Sequence, residues 1–398
     1  MQFEFVTPKP IIFGAGTVAQ VGPIAKNFGR RALVVTGSHQ HRAERLLANL
    51  SANGIGATTF AVAGEPEIAT VERGTAAAKT ENCDFVISIG GGSVIDAGKA
   101  IAAMLTNDGS LLGYLEIIGQ GKPLTKSSAP FVAIPTTAGT GSEVTRNAVL
   151  ASPEHKLKVS LRSRLMIPSV AVVDPELTYD LPPALTGSTG LDALTQLIEP
   201  FVCSRANPLT DGFCVEGITL AARSFRAAFT DGGNKAARED MAIASLFGGL
   251  ALANAGLGAV HGFAGPIGGS FPAPHGAVCA ALLPHVMATN LRALREREPR
   301  SPALNRFDRV AELLTGHPNA AANAGVEWVR QLTADLHIPG LGSYGIREGH
   351  VATLVEKARS ASSMRANPVA LTPAELAEML RLALGPVGES AGRSWTIR

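Results

Sequence analysis

Between residues 31 and 135, short β-rich runs alternate with Ala-rich stretches, and few folds accept that pattern. The runs are Ala32-Leu33-Val34-Val35-Thr36, Thr58-Thr59-Phe60-Ala61-Val62, Phe85-Val86-Ile87-Ser88-Ile89 and Phe131-Val132-Ala133-Ile134-Pro135; helix-forming stretches at 42–53, 71–80 and 93–105 lie between them. Successive strands separated by helices read as parallel strands with crossovers, so the pattern predicts a parallel sheet with helices on both faces. Further strands are expected at 148–150 and 170–174. Beyond Leu181-Pro182-Pro183 the β-branched runs give way to long Ala/Leu/Gly segments at helical spacing. The chain therefore divides into an α/β domain, 1–182, and an all-α domain, 183–398. Its 398 residues suffice for two cores.

Composition excludes several functions. The net charge is only +2 and no basic stripe interleaved with aromatics is present, so nucleic-acid binding has no support. Cys83, Cys203, Cys214 and Cys279 are scattered, without the short paired spacing of a disulfide framework or a thiolate zinc site, which fits a reducing compartment. The N-terminal residues lack a basic leader followed by an apolar stretch. No membrane span is expected, because the most apolar stretch, 246–267, carries Asn254, His261, several glycines and Pro266.

Two loops at expected strand ends suit a dinucleotide. Gly90-Gly91-Gly92-Ser93-Val94-Ile95-Asp96 follows a strand and opens a helix, where glycines let backbone approach a pyrophosphate and the helix N-terminus favours its charge. No Gly-Lys-Ser/Thr ending follows, which disfavours a triphosphate-hydrolysing loop, and a plain tight turn is the alternative. Pro135-Thr136-Thr137-Ala138-Gly139-Thr140-Gly141-Ser142-Glu143 follows the next strand and offers hydroxyls and amides, or else a capped turn. Two such loops at the carboxyl ends of parallel strands define a crevice for a ligand.

A metal-ligating pattern follows. Asp192 and Gln196, four apart, share one face of an expected helix; Val260-His261-Gly262 ends an Ala/Gly helix, and Pro274-His275-Gly276 begins another after a proline-broken loop. One carboxylate and two imidazoles form a set suited to Fe²⁺ or Zn²⁺, with hydrogen-bonded core histidines as the alternative.

Taken together, these motifs resemble the iron-containing (group III) alcohol dehydrogenase family over essentially the whole chain. Ile12-Phe13-Gly14-Ala15-Gly16, the 90–96 and 135–145 loops, Val173-Asp174-Pro175-Glu176-Leu177-Thr178, and the segment from Val260-His261-Gly262 to Pro274-His275-Gly276 appear in the family's order. The resemblance implies a dehydroquinate synthase-like fold: an N-terminal dinucleotide-binding α/β domain, an all-α C-terminal domain, and a metal at the cleft between them. It places Gly91, Gly92, Ser93 and Asp96 in the pyrophosphate loop, Thr136, Thr137, Thr140 and Ser142 in the second nucleotide loop, Gly37 near the ribose, and Lys158 at a cofactor contact. Asp192, His261 and His275 fall on three of four metal-ligand positions.

The chain departs from the family pattern at three places. Gln196 stands where a second ligand histidine is usual, offering a carbonyl oxygen as a fourth ligand. Gly265 replaces a histidine near the substrate. After the first strand, Thr36-Gly37-Ser38 lacks the acidic residue that holds a ribose 2′-OH, and Arg42 is close by, so NADP(H) is expected to be accepted beside NAD(H).

The implied activity is NAD(P)-dependent, metal-assisted hydride transfer on a small alcohol or aldehyde, with Asp192, His261 and His275 as the catalytic metal-holding residues, in a cytoplasmic homodimer. Gln196 keeps open a metal-independent, maleylacetate-reductase-like enzyme, and a non-catalytic nucleotide-binding protein is the remaining alternative. His285 is expected to be structural at a helix start, and His39, His41 and His155 to be surface loop residues. Glu143 is expected to sit in a helix first turn and Asn147 near the substrate.

Overall fold

A computed structural model of the chain describes residues 2–385. Contacts divide it into a sheet unit, Val6–Thr137 with Gly141–Tyr179, and a helical unit, Met1–Phe5, Ala138–Thr140 and Asp180–Arg398.

In the sheet unit the order is β1 (Ile11–Phe13), α1 (Val21–Ala25), β2 (Arg31–Thr36), α2 (Glu44–Ala52), β3 (Gly56–Ala61), α3 (Ile68–Thr80), β4 (Phe85–Gly90), α4 (Gly92–Thr106), α5 (Leu111–Tyr114), β5 (Phe131–Pro135), β6 (Asn147–Ser152), β7 (Leu157–Arg162) and β8 (Val170–Val173). Six strands form one sheet in the order β1-β8-β5-β4-β2-β3, and all its pairings are parallel. The strands are apolar on both faces because helices cover both. Leu33, Val35 and Val86 pack with Val71, Ile95 and Ile101 from α3 and α4. Ala32, Val34, Phe85 and Ile87 face the other way onto Val21, Leu46 and Leu50 from α1 and α2.

The region after β5 differs from the sequence reading. The strand expected at 148–150 does not join the sheet; as β6 it pairs antiparallel with β7, Ala151 opposite Lys158, in a separate hairpin. Reading 157–162 as a strand was missed because Lys158 and Ser160 alternate with apolar residues only briefly. β8 crosses back to lie between β1 and β5. There Asp174 ties two of the family motifs together: its carboxylate accepts from Gly16 N at 3.0 Å, Val18 N at 3.1 Å and Glu176 N at 3.1 Å. A buried carboxylate with three backbone donors is a structural clasp.

The helical unit comprises α6 (Pro183–Val202), α7 (Pro208–Thr230), α8 (Lys235–Asn254), α9 (Ala259–Ser270), α10 (His275–Arg297), α11 (Pro302–Thr315), α12 (Ala322–Asp335), α13 (Val351–Ser360) and α14 (Pro373–Ala383). Starts follow local chemistry: proline occupies the first turns of α6 and α7, the Asn207 side chain caps α7, and that of Asn234 caps α8. One core links them, including Leu191, Leu194, Phe225, Phe263, Leu282 and Leu376. Among the described residues α10 alone is long and apolar enough by itself to cross a membrane, but 83% of its apolar window is buried, as in the central helix of a bundle. The apolar stretch at 246–267 is instead broken between α8 and α9, which bend by 97°.

Candidate functional site

Helix α6 carries Asp192, Gln196 and Glu199 at offsets of four and seven, so all three buried side chains share one face. Helix α9 begins where Glu199 permits: its Oε1 accepts from Val260 N at 2.8 Å, while Asn367 Oδ1 accepts from Ala259 N at 3.1 Å. His261 thus occupies the first turn of α9, not the end of a helix as its sequence context suggested. Side chains distant in sequence supply the cap, so no local signal marked this start. The other Glu199 oxygen lies 2.7 Å from His261 Nδ1 and fixes the ring, leaving Nε2 at 3.4 Å from Asp192 Oδ1.

His275 opens α10, with Nε2 at 3.6 Å from Asp192 Oδ1. Gly276 makes this approach possible, because a Cβ there would sit 2.5 Å from the Ser188 carbonyl oxygen on α6. One turn later, the buried Cys279 Sγ lies 3.9 Å from His261 Nε2 and 3.8 Å from His275 Nε2. Donor atoms of Asp192, His261, His275 and Cys279 all fall within 4.8 Å of one another.

This pocket concentrates electron pairs. Burial alone would raise the Asp192 carboxyl, but the neighbouring His275 and His261, with a hydrogen bond from Gln196, hold it down at about 2. Burial opposes protonation of His261, yet Cys279 and the partners Asp192 and Glu199 override it and raise the imidazole well above its ordinary value. Burial pushes the Cys279 thiol up to about 12. Asp192 Oδ1 and Gln196 Oε1 are buried acceptors with no hydrogen-bond donor, and the imidazole nitrogens of His261 and His275 lie 3.4 and 3.6 Å from Asp192 Oδ1. Orphaned acceptors beside two imidazoles fit a divalent transition ion. A Cβ at Gly265 would meet nothing within 4 Å, so this part of α9 is open.

The expected nucleotide residues lie mostly in the sheet unit. Gly91 and Gly92 lead from β4 into α4, whose first-turn amides lack intrahelical partners. Thr136 N donates to Gly90 O at 3.0 Å, tying the second loop to the first, and Thr137 lies beside Gly91. Gly37, Gly91, Gly92, Ser93 and Thr137 are half-buried; Thr136 and Ser142 are buried. Thr140 belongs with Ala138–Thr140 in the helical unit.

Two residues assigned to the cofactor are engaged within the protein. Asp96 Oδ2 accepts from Val149 N at 3.0 Å and Oδ1 lies 3.5 Å from Lys99 Nζ; Lys158 Nζ pairs with Glu65 at 2.9 Å. Lys99, fully buried, donates to Ser142 O at 2.8 Å, Thr145 Oγ1 at 2.9 Å and Asn147 O at 2.7 Å, and so sets the path of the second loop.

Glu199, Cys279 and Lys99 were missed in the sequence. Spacing from Asp192 could have flagged Glu199; nothing local flagged the cysteine. His285 lies inside α10 rather than at a helix start, and burial lowers its pKa. His39, His41 and His155 are exposed. Glu143 lies in a short 3-10 turn, Ser142–Val144, but is buried.

Family models for "Iron-containing alcohol dehydrogenase" and "Fe-containing alcohol dehydrogenase family, C-terminal" match residues 8–175 and 186–384. The chain belongs to the iron-containing alcohol dehydrogenase family. It is 36% identical over 394 residues to 1,3-propanediol dehydrogenase of Citrobacter freundii, covering 96% of this chain and 98% of that enzyme. It is 34% identical over 392 residues to NAD-dependent methanol dehydrogenase of Bacillus methanolicus, covering 96% and 100%. The crystal structure of a 1,3-propanediol oxidoreductase superposes with a TM-score of 0.89 at 36% identity, covering 96% of this chain and 100% of that one. Membership in this family makes the chain an oxidoreductase of alcohols and aldehydes, and implies a nicotinamide nucleotide and a divalent metal.

Proposed function

We propose that this enzyme transfers hydride reversibly between NAD(P)(H) and a small primary alcohol or its aldehyde, with a divalent metal held by Asp192, His261 and His275. The observation that carries this reading is the approach of both imidazole nitrogens, at 3.4 and 3.6 Å, to one buried carboxylate oxygen that has no hydrogen-bond donor. When bound, the metal supplies a Lewis acid that polarises a carbonyl and lowers the pKa of an alcohol.

The protein's own residues do the positioning. Glu199 fixes the tautomer and orientation of His261, the usual arrangement of a carboxylate behind a ligand histidine. Gln196 helps to keep the Asp192 carboxyl ionised. Open space at Gly265 supports a place for substrate, and glycine carries no side chain to relay a proton there. Gly91, Gly92 and Ser93 would take the pyrophosphate, and Thr136, Thr137, Thr140 and Ser142 would line the second loop. The ion pairs of Asp96 and Lys158 support indirect roles for those two residues, in shaping the hairpin and loop.

Uncharged Gly37 and nearby Arg42 support use of NADP(H) as well as NAD(H). Iron(II) or zinc(II) would suit the ligands. The size of the named relatives' alcohols supports a small substrate. A cytoplasmic setting is supported by four free thiols, and a homodimer through the N-terminal region by β1 at the sheet edge.

Metal content and NAD(P)H-linked aldehyde reduction, measured before and after chelation and after metal is restored, test the reading. Activity should fall with the metal and return with it. Full turnover by metal-free protein would overturn it and favour the metal-independent alternative.

A further inference from the structure

Ligand atoms placed tetrahedrally about a metal have a recognisable spacing. With metal–N and metal–O distances of about 2.0–2.1 Å and a metal–S distance of about 2.3 Å, the N–O edges of a tetrahedron are about 3.4 Å and the N–S edges about 3.6 Å. The observed Asp192–His261 and Asp192–His275 separations are 3.4 and 3.6 Å, and the Cys279–His261 and Cys279–His275 separations are 3.9 and 3.8 Å. The oxygen edges are the shorter and the sulfur edges the longer, in the order that metal–sulfur bond length demands.

Three elements create this arrangement. Asp192 comes from α6, His261 from α9, and His275 with Cys279 from one face of α10, four residues apart. Both histidines turn Nε2 toward the thiol, and Glu199 holds the opposite nitrogen of His261. Among the described residues, the hydrogen-bonding partners of Cys279 Sγ are the two imidazole nitrogens. Gln196, the fourth ligand suggested by the sequence, helps to hold the Asp192 carboxyl low, and its own Oε1 is buried without a donor.

We infer that Cys279 is a protein ligand to the metal, joining Asp192, His261 and His275 in an Asp-His-His-Cys set. This rests on the metal-site reading above. A thiolate makes the set softer than one of imidazole and carboxylate alone, so zinc(II) is favoured over iron(II). Metal binding takes the proton from the thiol and releases it to solvent.

Cobalt(II) tests the assignment without recourse to turnover. Metal-stripped full-length protein titrated with cobalt(II) should bind one equivalent, with visible d–d absorption from the ion and a strong near-ultraviolet sulfur-to-cobalt charge-transfer band. Cys279→Ser should keep the d–d absorption, lose the near-ultraviolet band and bind cobalt at least about tenfold more weakly; Gln196→Ala should keep the band. X-ray absorption on the zinc-loaded wild-type protein needs no variant and should show one sulfur at about 2.3 Å. One bound cobalt with no charge-transfer band, or zinc with no sulfur neighbour, overturns the role of Cys279 and leaves the metal site standing. Failure to bind any cobalt overturns the metal site itself.

Discussion

Glu143 shows how a residue with an ordinary local context acquires unusual chemistry. Burial pushes its carboxyl up to about 7, against the opposing influence of its own amide and of Lys99. Because the folded-state pKa lies above that of the unfolded chain, the folded state holds its proton more tightly. Stability is therefore greatest below about pH 4.5 as far as this group is concerned, and declines as pH rises toward about 7, by on the order of 3 kcal/mol. Glu143→Gln removes this dependence, so its thermal midpoint relative to wild type should climb between pH 5 and pH 8. A constant difference across that range would refute the shift. The sequence showed Glu143 as a first-turn carboxylate, which it is, but only the packing of the loop around Lys99 shows that it is buried.

At the scale of elements, the close packing of α4 on the sheet depends on Gly98. A Cβ at that position would come within 1.9 Å of Ser88 Oγ and 3.0 Å of the Phe131 ring. Gly98→Ala should cost about 1–3 kcal/mol by overpacking, and Ser88→Ala in the same chain should recover part of that loss, because the first atom struck is gone. Denaturant midpoints of the two single variants and the double variant measure the coupling; a Gly98→Ala protein as stable as wild type would show that the helix can shift aside. The strands and helices around Gly98 were legible in advance, since apolar runs alternating with Ala-rich stretches leave little choice. The β6–β7 hairpin was not, because half of β7 is polar, and neither was the start of α9, whose cap comes from Glu199 and Asn367.

For the whole molecule, the cores of the two units predict a local response to metal. A ligand at 100 times its dissociation constant stabilises the folded state that binds it by about 2.7 kcal/mol. Chelation should therefore reduce amide-exchange protection in α6, α9 and α10, which carry Asp192, His261 and His275, and leave β2, β4 and β5 protected. Equal loss in the sheet would contradict this division. The sequence by itself determined the class of each half, the two glycine- and threonine-rich loops, and three of the four side chains whose donor atoms converge in the helical unit, because hydrophobic period and short motifs are local properties. Tertiary structure alone decided that Glu199 orients His261, that Lys99 shapes the second loop, and that Cys279 stands beside two histidines. Those relations depend on distances between side chains up to 87 residues apart, such as Asp192 and Cys279, which chain packing fixes and sequence spacing does not encode.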